Sequence, residues 1–170
     1  MSVIAANLTL TIVLLAAVRY DLKYRVIPNW LTFGATAVGL SLALFLSGSS
    51  GLVGHLWGAA ITGGVWFLFW QLGFMGGGDQ KLMLAVGALV GRDSVALIIV
   101  CVALAGGVQA IGTLLWRRWR LGTPAPIGWP AETRQRRGWR GVAMPYSFAI
   151  AAGTGATMLL NYFGVSLLLF

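Results

Sequence analysis

The sequence predicts an all-α integral membrane protein, a bundle of six transmembrane helices, and three observations lead there. Of 170 residues, 58% are hydrophobic and only 9% charged, where an ordinary soluble domain carries about 25% charged residues. Apolar runs recur along the chain at lengths near the roughly 20 residues that cross a hydrocarbon core. The charges fall between these runs. A mean hydropathy of +0.84, with 24 Gly and 8 Trp, fits helices whose small residues let backbones approach and whose Trp side chains sit at membrane interfaces.

The first apolar run, 3–18, has no positive charge ahead of it and Arg19, Lys23 and Arg25 behind it. A secretory signal has the reverse order, so this run is expected to stay as a helix. The second, 29–46, follows Pro28, which restricts Ile27 to extended geometry. Small, glycine-rich residues 47–54 read as a tight turn into the third run, 56–74. A short fourth run, 80–91, either begins inside the glycine-rich stretch before it or enters the membrane without fully crossing. The fifth is 95–116, and the sixth runs from 144 to about 160 or beyond.

If all six cross, 11 of the 12 Lys and Arg share one side: Arg19, Lys23, Arg25, Lys81, Arg117, Arg118, Arg120, Arg134, Arg136, Arg137 and Arg140. Only Arg92 falls on the other. The positive side is the cytoplasmic one, which places both termini outside. The whole chain, 1–170, reads as one membrane-embedded domain with a basic cytoplasmic loop at 117–141. A net charge of +8 in a soluble protein would point to nucleic acid. Here the loop, with Trp116, Trp119, Trp129 and Trp139, is expected to lie on anionic lipid headgroups, at about 1 kcal/mol per basic residue near the surface, and no nucleic acid is expected.

A single Cys101 in an apolar run forms no internal disulfide and reads as a packing residue. His55 has no second His or Cys nearby and reads as an interfacial polar residue. Neither a metal nor another cofactor is expected.

Four acids are the informative residues, because a carboxylate in or near a membrane is costly enough to be a functional candidate. Asp93, between Arg92 and Ser94, is accounted for by a helix cap and a local ion pair. Glu132 is accounted for by the arginines of its loop. Asp21 and Asp79 remain, in the similar settings Asp21-Leu22-Lys23 and Asp79-Gln80-Lys81, 58 residues apart. Two crossings between them return the chain to the same face. Two carboxyls brought close and partly desolvated share a proton; one then serves as base toward water while the other protonates a substrate carbonyl. Gly76 and Gly78, before Asp79, remove side chains, so that an extended peptide can approach and the backbone can take positive φ. Lys23 and Lys81 either tune the carboxyl pair and contact substrate, or anchor the chain as ordinary inner-side charges.

The elements Asp21-x-Lys23-x-Arg25-x-Ile27-Pro28-Asn29, Gly76-Gly77-Gly78-Asp79-Gln80-Lys81-Leu82 and Met144-Pro145-Tyr146-Ser147-Phe148-Ala149-Ile150-Ala151-Ala152-Gly153, in that order, resemble the prepilin peptidases of type IV pilin biogenesis. The small Flp/Tad pilus branch (CpaA/TadV-like) is the nearest likeness. The resemblance implies an inner-membrane aspartic endopeptidase with Asp21 and Asp79 as its catalytic pair. It implies a prepilin or pseudopilin substrate, whose short basic leader is cut on the cytoplasmic side, and termini on the periplasmic side. The Gly-x-Gly-Asp element is also similar to that of the presenilin and signal peptide peptidase enzymes. Larger bifunctional prepilin peptidases carry an extended cytoplasmic segment after the first helix, whereas about ten residues separate the first two runs here, so N-methyltransferase activity is not expected. They also often carry a second Pro where this chain has Phe148. The competing class is a small ion-coupled transporter with Asp21 and Asp79 as proton or cation sites; such sites commonly lie at the midplane between repeats, whereas these acids fall at the inner edge.

Overall fold

The computed structural model describes residues 2–73, 75–121 and 146–164. Its elements are α1 (Ser2–Tyr24), α2 (Asn29–Gln71), α3 (Gly77–Val90), a 3-10 turn (Arg92–Ser94), α4 (Val95–Leu121) and α5 (Ser147–Tyr162), with no strand among the described residues. Among the described residues, three segments are long and apolar enough to cross a membrane, Ala5–Tyr24, Asn29–Gln71 and Arg92–Trp116. Most of the basic loop, with Glu132, Met144 and Pro145, lies outside the described residues.

Apolar residues cover both sides of α1. Leu10, Val13, Leu14 and Ala17 form a buried stripe at helical spacing, while Leu8, Ile12 and Leu15 point outward and are exposed. Such a helix is at home in lipid, where an apolar outer face meets apolar chains. The helix runs past residue 18, where the first apolar run ends, through Tyr24. Asp21 therefore lies within the helix, one turn beyond Ala17 on the inward stripe.

The chain folds back within α2. Gly48 has φ 68 and ψ −158, outside the helical region, a backbone state that glycine adopts without a Cβ clash. A straight helix of 43 residues would run about 65 Å. Yet Asn29, at one end, bonds Lys81 in the first turns of α3, and Trp70, at the other, lies against Gly77. Two antiparallel arms, joined at the tight turn expected over 47–54, satisfy both contacts.

The hairpin clasps α3, which is buried nearly all round through Leu82, Met83, Ala85, Val86, Ala88 and Leu89. Close approach needs glycine: a Cβ on Gly58 would stand 2.5 Å from the Gly87 carbonyl oxygen. α3 begins at Gly77, so the short fourth run does start inside the glycine-rich stretch. At 14 residues it is about 21 Å long. His55 Nδ1 lies 2.8 Å from the Ala88 carbonyl oxygen, so this half-buried side chain meets the last turn of α3. Buried Thr62 and Thr157 donate to carbonyls one turn back in their own helices, satisfying hydroxyls that lipid cannot.

α4 and α5 pack together, with Gly153 set against the Val102 backbone, and α1 touches α5, α2 and α3. Cys101 is half-buried in α4 at this contact. Asp93 sits exposed in the 3-10 turn that leads into α4. Ser94 accepts a bond from Asn161 of α5.

Candidate active site

Three helix ends converge. The last turn of α1 carries Asp21, 9% exposed, and the first residue of α5, fully buried Ser147, donates its hydroxyl to Asp21 Oδ2 at 2.6 Å. That length lies within the range of O–H···O hydrogen bonds. The first turn of α3 carries half-buried Asp79, three residues after the N-cap Gly76, where its carboxylate accepts the Gly76 backbone N–H. This is the reaching-back half of a capping box, and it sets the Asp79 rotamer.

Asp21 and Asp79 are close enough for the charge of one to act on the other. Asp79 precedes the apolar part of α3 and lies outside the three membrane-length segments. Burial first, and then the Asp21 charge, push its carboxyl up to about 7, against the opposing pull of the Gly76 N–H. A carboxyl in that range holds a proton at neutral pH and can still release it.

Tyr146 stands just ahead of Ser147, near enough to Asp79 to feel its charge, with its hydroxyl beside the Trp66 indole. The two do not form a well-aligned hydrogen bond: Trp66 is 1% exposed and its Nε1 is a buried donor without a partner. The Tyr146 ring reaches α4, where a Cβ on Gly106 would lie 2.6 Å from the hydroxyl. Tyr20, next to Asp21, meets Trp30 edge-on at 5.9 Å, tying the end of α1 to the start of α2.

The other candidates fall around this pair in different ways. Lys81 donates to Asn29 Oδ1 at 2.9 Å and lies over Phe33. Lys23 lies over Tyr24, 5.0 Å from the ring centroid. Gly76 has φ −78, so the positive φ anticipated in this run is not used there; it appears at Gly73 instead. A Cβ on Gly78 would stand 3.3 Å from Ile27 Cβ, so this glycine seats the Ile27-Pro28 corner against α3. Ser147, Tyr146 and Trp66 carry no role in the sequence reading. Ser147 and Tyr146 do lie in the 144–153 element, whereas nothing marks Trp66 among eight tryptophans.

Among the described residues no group of three or more His, Cys, Asp or Glu could hold a metal ion. What the arrangement offers is two carboxyls on separate helices, one bonded by a hydroxyl and the other by a backbone amide, close enough for their charges to interact.

Helices apolar on both faces, with this pair where they meet, define an all-helical membrane protein built around two facing carboxyls. The family profile described as the type IV leader peptidase family matches residues 8–111, which include both aspartates, and the chain belongs to that family. It is 31% identical over 132 residues to a protein named prepilin leader peptidase/N-methyltransferase from Aeromonas hydrophila, covering 72% of this chain and 44% of the relative. A protein of the same name from Xanthomonas campestris is 32% identical over 127 residues, covering 71% and 44%. The chain thus spans less than half the length of these relatives. No solved structure matches.

Proposed function

We propose that this protein is a prepilin leader peptidase, an aspartic endopeptidase that removes the short basic leader of Flp-type prepilins at the cytoplasmic face of the inner membrane. The observation that carries this reading is the convergence of Asp21 and Asp79, whose carboxyls interact although they lie on different helices. A water held between them loses a proton to one carboxylate and attacks the scissile carbonyl, while the other carboxyl protonates the carbonyl oxygen. Gly76, exposed beside Asp79, keeps the approach to it free of a side chain, whereas the substrate role expected of Gly78 gives way to its packing against Ile27. Lys23 and Lys81, at the same end of the bundle, either contact the substrate or hold that end at the inner headgroups.

Six crossings with periplasmic termini are supported by the α2 hairpin, which turns one long helix into two arms, and by the charge split between alternate connections. Anionic lipids are the partner proposed for the basic loop. Absence of N-methyltransferase activity is supported by the short link between α1 and α2, residues 25–28, which leaves no extended segment there.

Purified full-length protein incubated with a candidate prepilin tests the reading. Release of the leader with a free amine on the mature pilin supports it. Intact prepilin together with proton or cation flux in liposomes, lost in Asp21→Asn, overturns it in favour of a transporter.

A further inference from the structure

Ser147 donates its hydroxyl to the buried carboxylate of Asp21, and several features set this bond apart from an incidental contact. The two residues are 126 positions apart, so the bond exists only because α1 and α5 pack together. A serine in the first turn of a helix ordinarily turns its hydroxyl onto that helix's own free amides. Here Tyr146 holds the N-cap position of α5 and Ser147 follows it, with its hydroxyl committed to Asp21. Ser147 is 0% exposed, so water does not compete for the bond.

The geometry also separates the two carboxyls. Asp21 Oδ2 accepts a side-chain hydroxyl, whereas Asp79 accepts a backbone amide and stays partly exposed. An oxygen already accepting an O–H bond is a poorer site for the carboxyl's own proton than the oxygen left free.

We propose that Ser147 is a positioning residue for the hydrolysis, holding Asp21 through Oδ2 so that Oδ1 takes the proton from water while Asp79 carries the proton delivered to the scissile carbonyl. The inference rests on the peptidase reading above. In the first step a water O–H bond breaks, its proton goes to Asp21 Oδ1, the hydroxide oxygen bonds the carbonyl carbon, and the Asp79 proton moves to the carbonyl oxygen. In the second, the C–N bond breaks as the Asp21 proton passes to the leaving nitrogen, and the carbonyl re-forms as its hydroxyl proton returns to Asp79. Each carboxyl ends as it began.

The test uses the purified full chain and a synthetic prepilin with its leader, and reads kcat and KM separately for Ser147→Ala, Ser147→Cys and Ser147→Thr. Losing one hydrogen bond to a charged group lowers a rate by about 10- to 100-fold. Ser147→Ala and Ser147→Cys are both expected to lose kcat by that factor with KM within about twofold, because the thiol fills the serine's space but donates weakly. Ser147→Thr, which keeps the hydroxyl, is expected to retain kcat within about threefold. If threonine is too large for the buried site, the Ala and Cys variants still decide. Wild-type kcat in Ser147→Cys, or a loss confined to KM, overturns the positioning role and leaves the peptidase reading standing. A wild-type protein that cuts no prepilin overturns the peptidase reading, and this inference with it.

Discussion

Replacing Asp21 by Asn removes a proton-accepting charge and almost nothing else. The amide carbonyl introduced by Asp21→Asn can still accept the Ser147 hydroxyl, and the one introduced by Asp79→Asn can likewise accept the Gly76 N–H, so both anchoring bonds survive in weaker, neutral form. A neutral hydrogen bond is worth about 1 kcal/mol less than a charge-assisted one, and removal of a partly buried charge at the membrane offsets part of that loss. Each variant should therefore insert at near wild-type levels. Catalytically, a general acid or base contributes about 10²- to 10⁴-fold. Were the two carboxyls independent, the double variant would lose about 10⁴- to 10⁸-fold; as one unit sharing a proton, each single variant already loses nearly everything and the double is scarcely worse. The assay is prepilin cleavage by Asp21→Asn, Asp79→Asn and the double variant, each normalised to the amount of inserted protein, with Asp93→Asn and Glu132→Gln expected to keep most activity. Substantial cleavage by well-inserted Asp21→Asn or Asp79→Asn, or a double variant whose losses multiply, would refute the shared-proton pair.

Asp79 should lose its proton as pH rises through about 7, leaving two like charges and no acid, so kcat should decline on the alkaline side; a rate that keeps climbing well above neutral pH would contradict this. Valine at Gly58 would drive its side chain into the α3 backbone, whose nearest carbonyl oxygen is 2.5 Å from the site of a Cβ, and should cost about 1–3 kcal/mol or more. Gly34→Ala, with nothing within 4 Å, should leave thermal unfolding in detergent unchanged or raise its midpoint. Single cysteines at Ser49 and Ala131, in a background lacking Cys101, should label from opposite sides of the membrane. If the two carboxyls generate the nucleophile directly, as proposed, extensive EDTA treatment should leave cleavage intact, and a loss restored by Zn²⁺ would defeat the aspartic assignment.

Local patterns made the helices legible. Apolar runs gave their approximate spans, and the small residues around Gly48 marked the reversal in α2. The stripe Leu10, Val13, Ala17 extends by one turn to Asp21, so the inward placement of that acid is also a matter of spacing. The C-terminal end of α1 was less visible, because that turn is polar and charged yet still helical. Asp79 stands out as an acid in a glycine run, but its reach back to Gly76 depends on where α3 starts, and three consecutive glycines leave that start undefined. Contacts between distant segments were not legible at all. Ser147 on Asp21, Lys81 on Asn29 and Trp66 beside Tyr146 depend on how helices cross, and no periodicity within one segment encodes a partner in another.

The bond between Asp21 and Ser147 also fixes an order in time. The ribosome adds about 5–20 residues per second, so the 126 positions between them correspond to roughly 6–25 s of synthesis. Both aspartates are in the growing chain well before the hydroxyl that holds the first of them has been made. Any chemistry that needs that hydroxyl waits until α5 has been made and packed against α1.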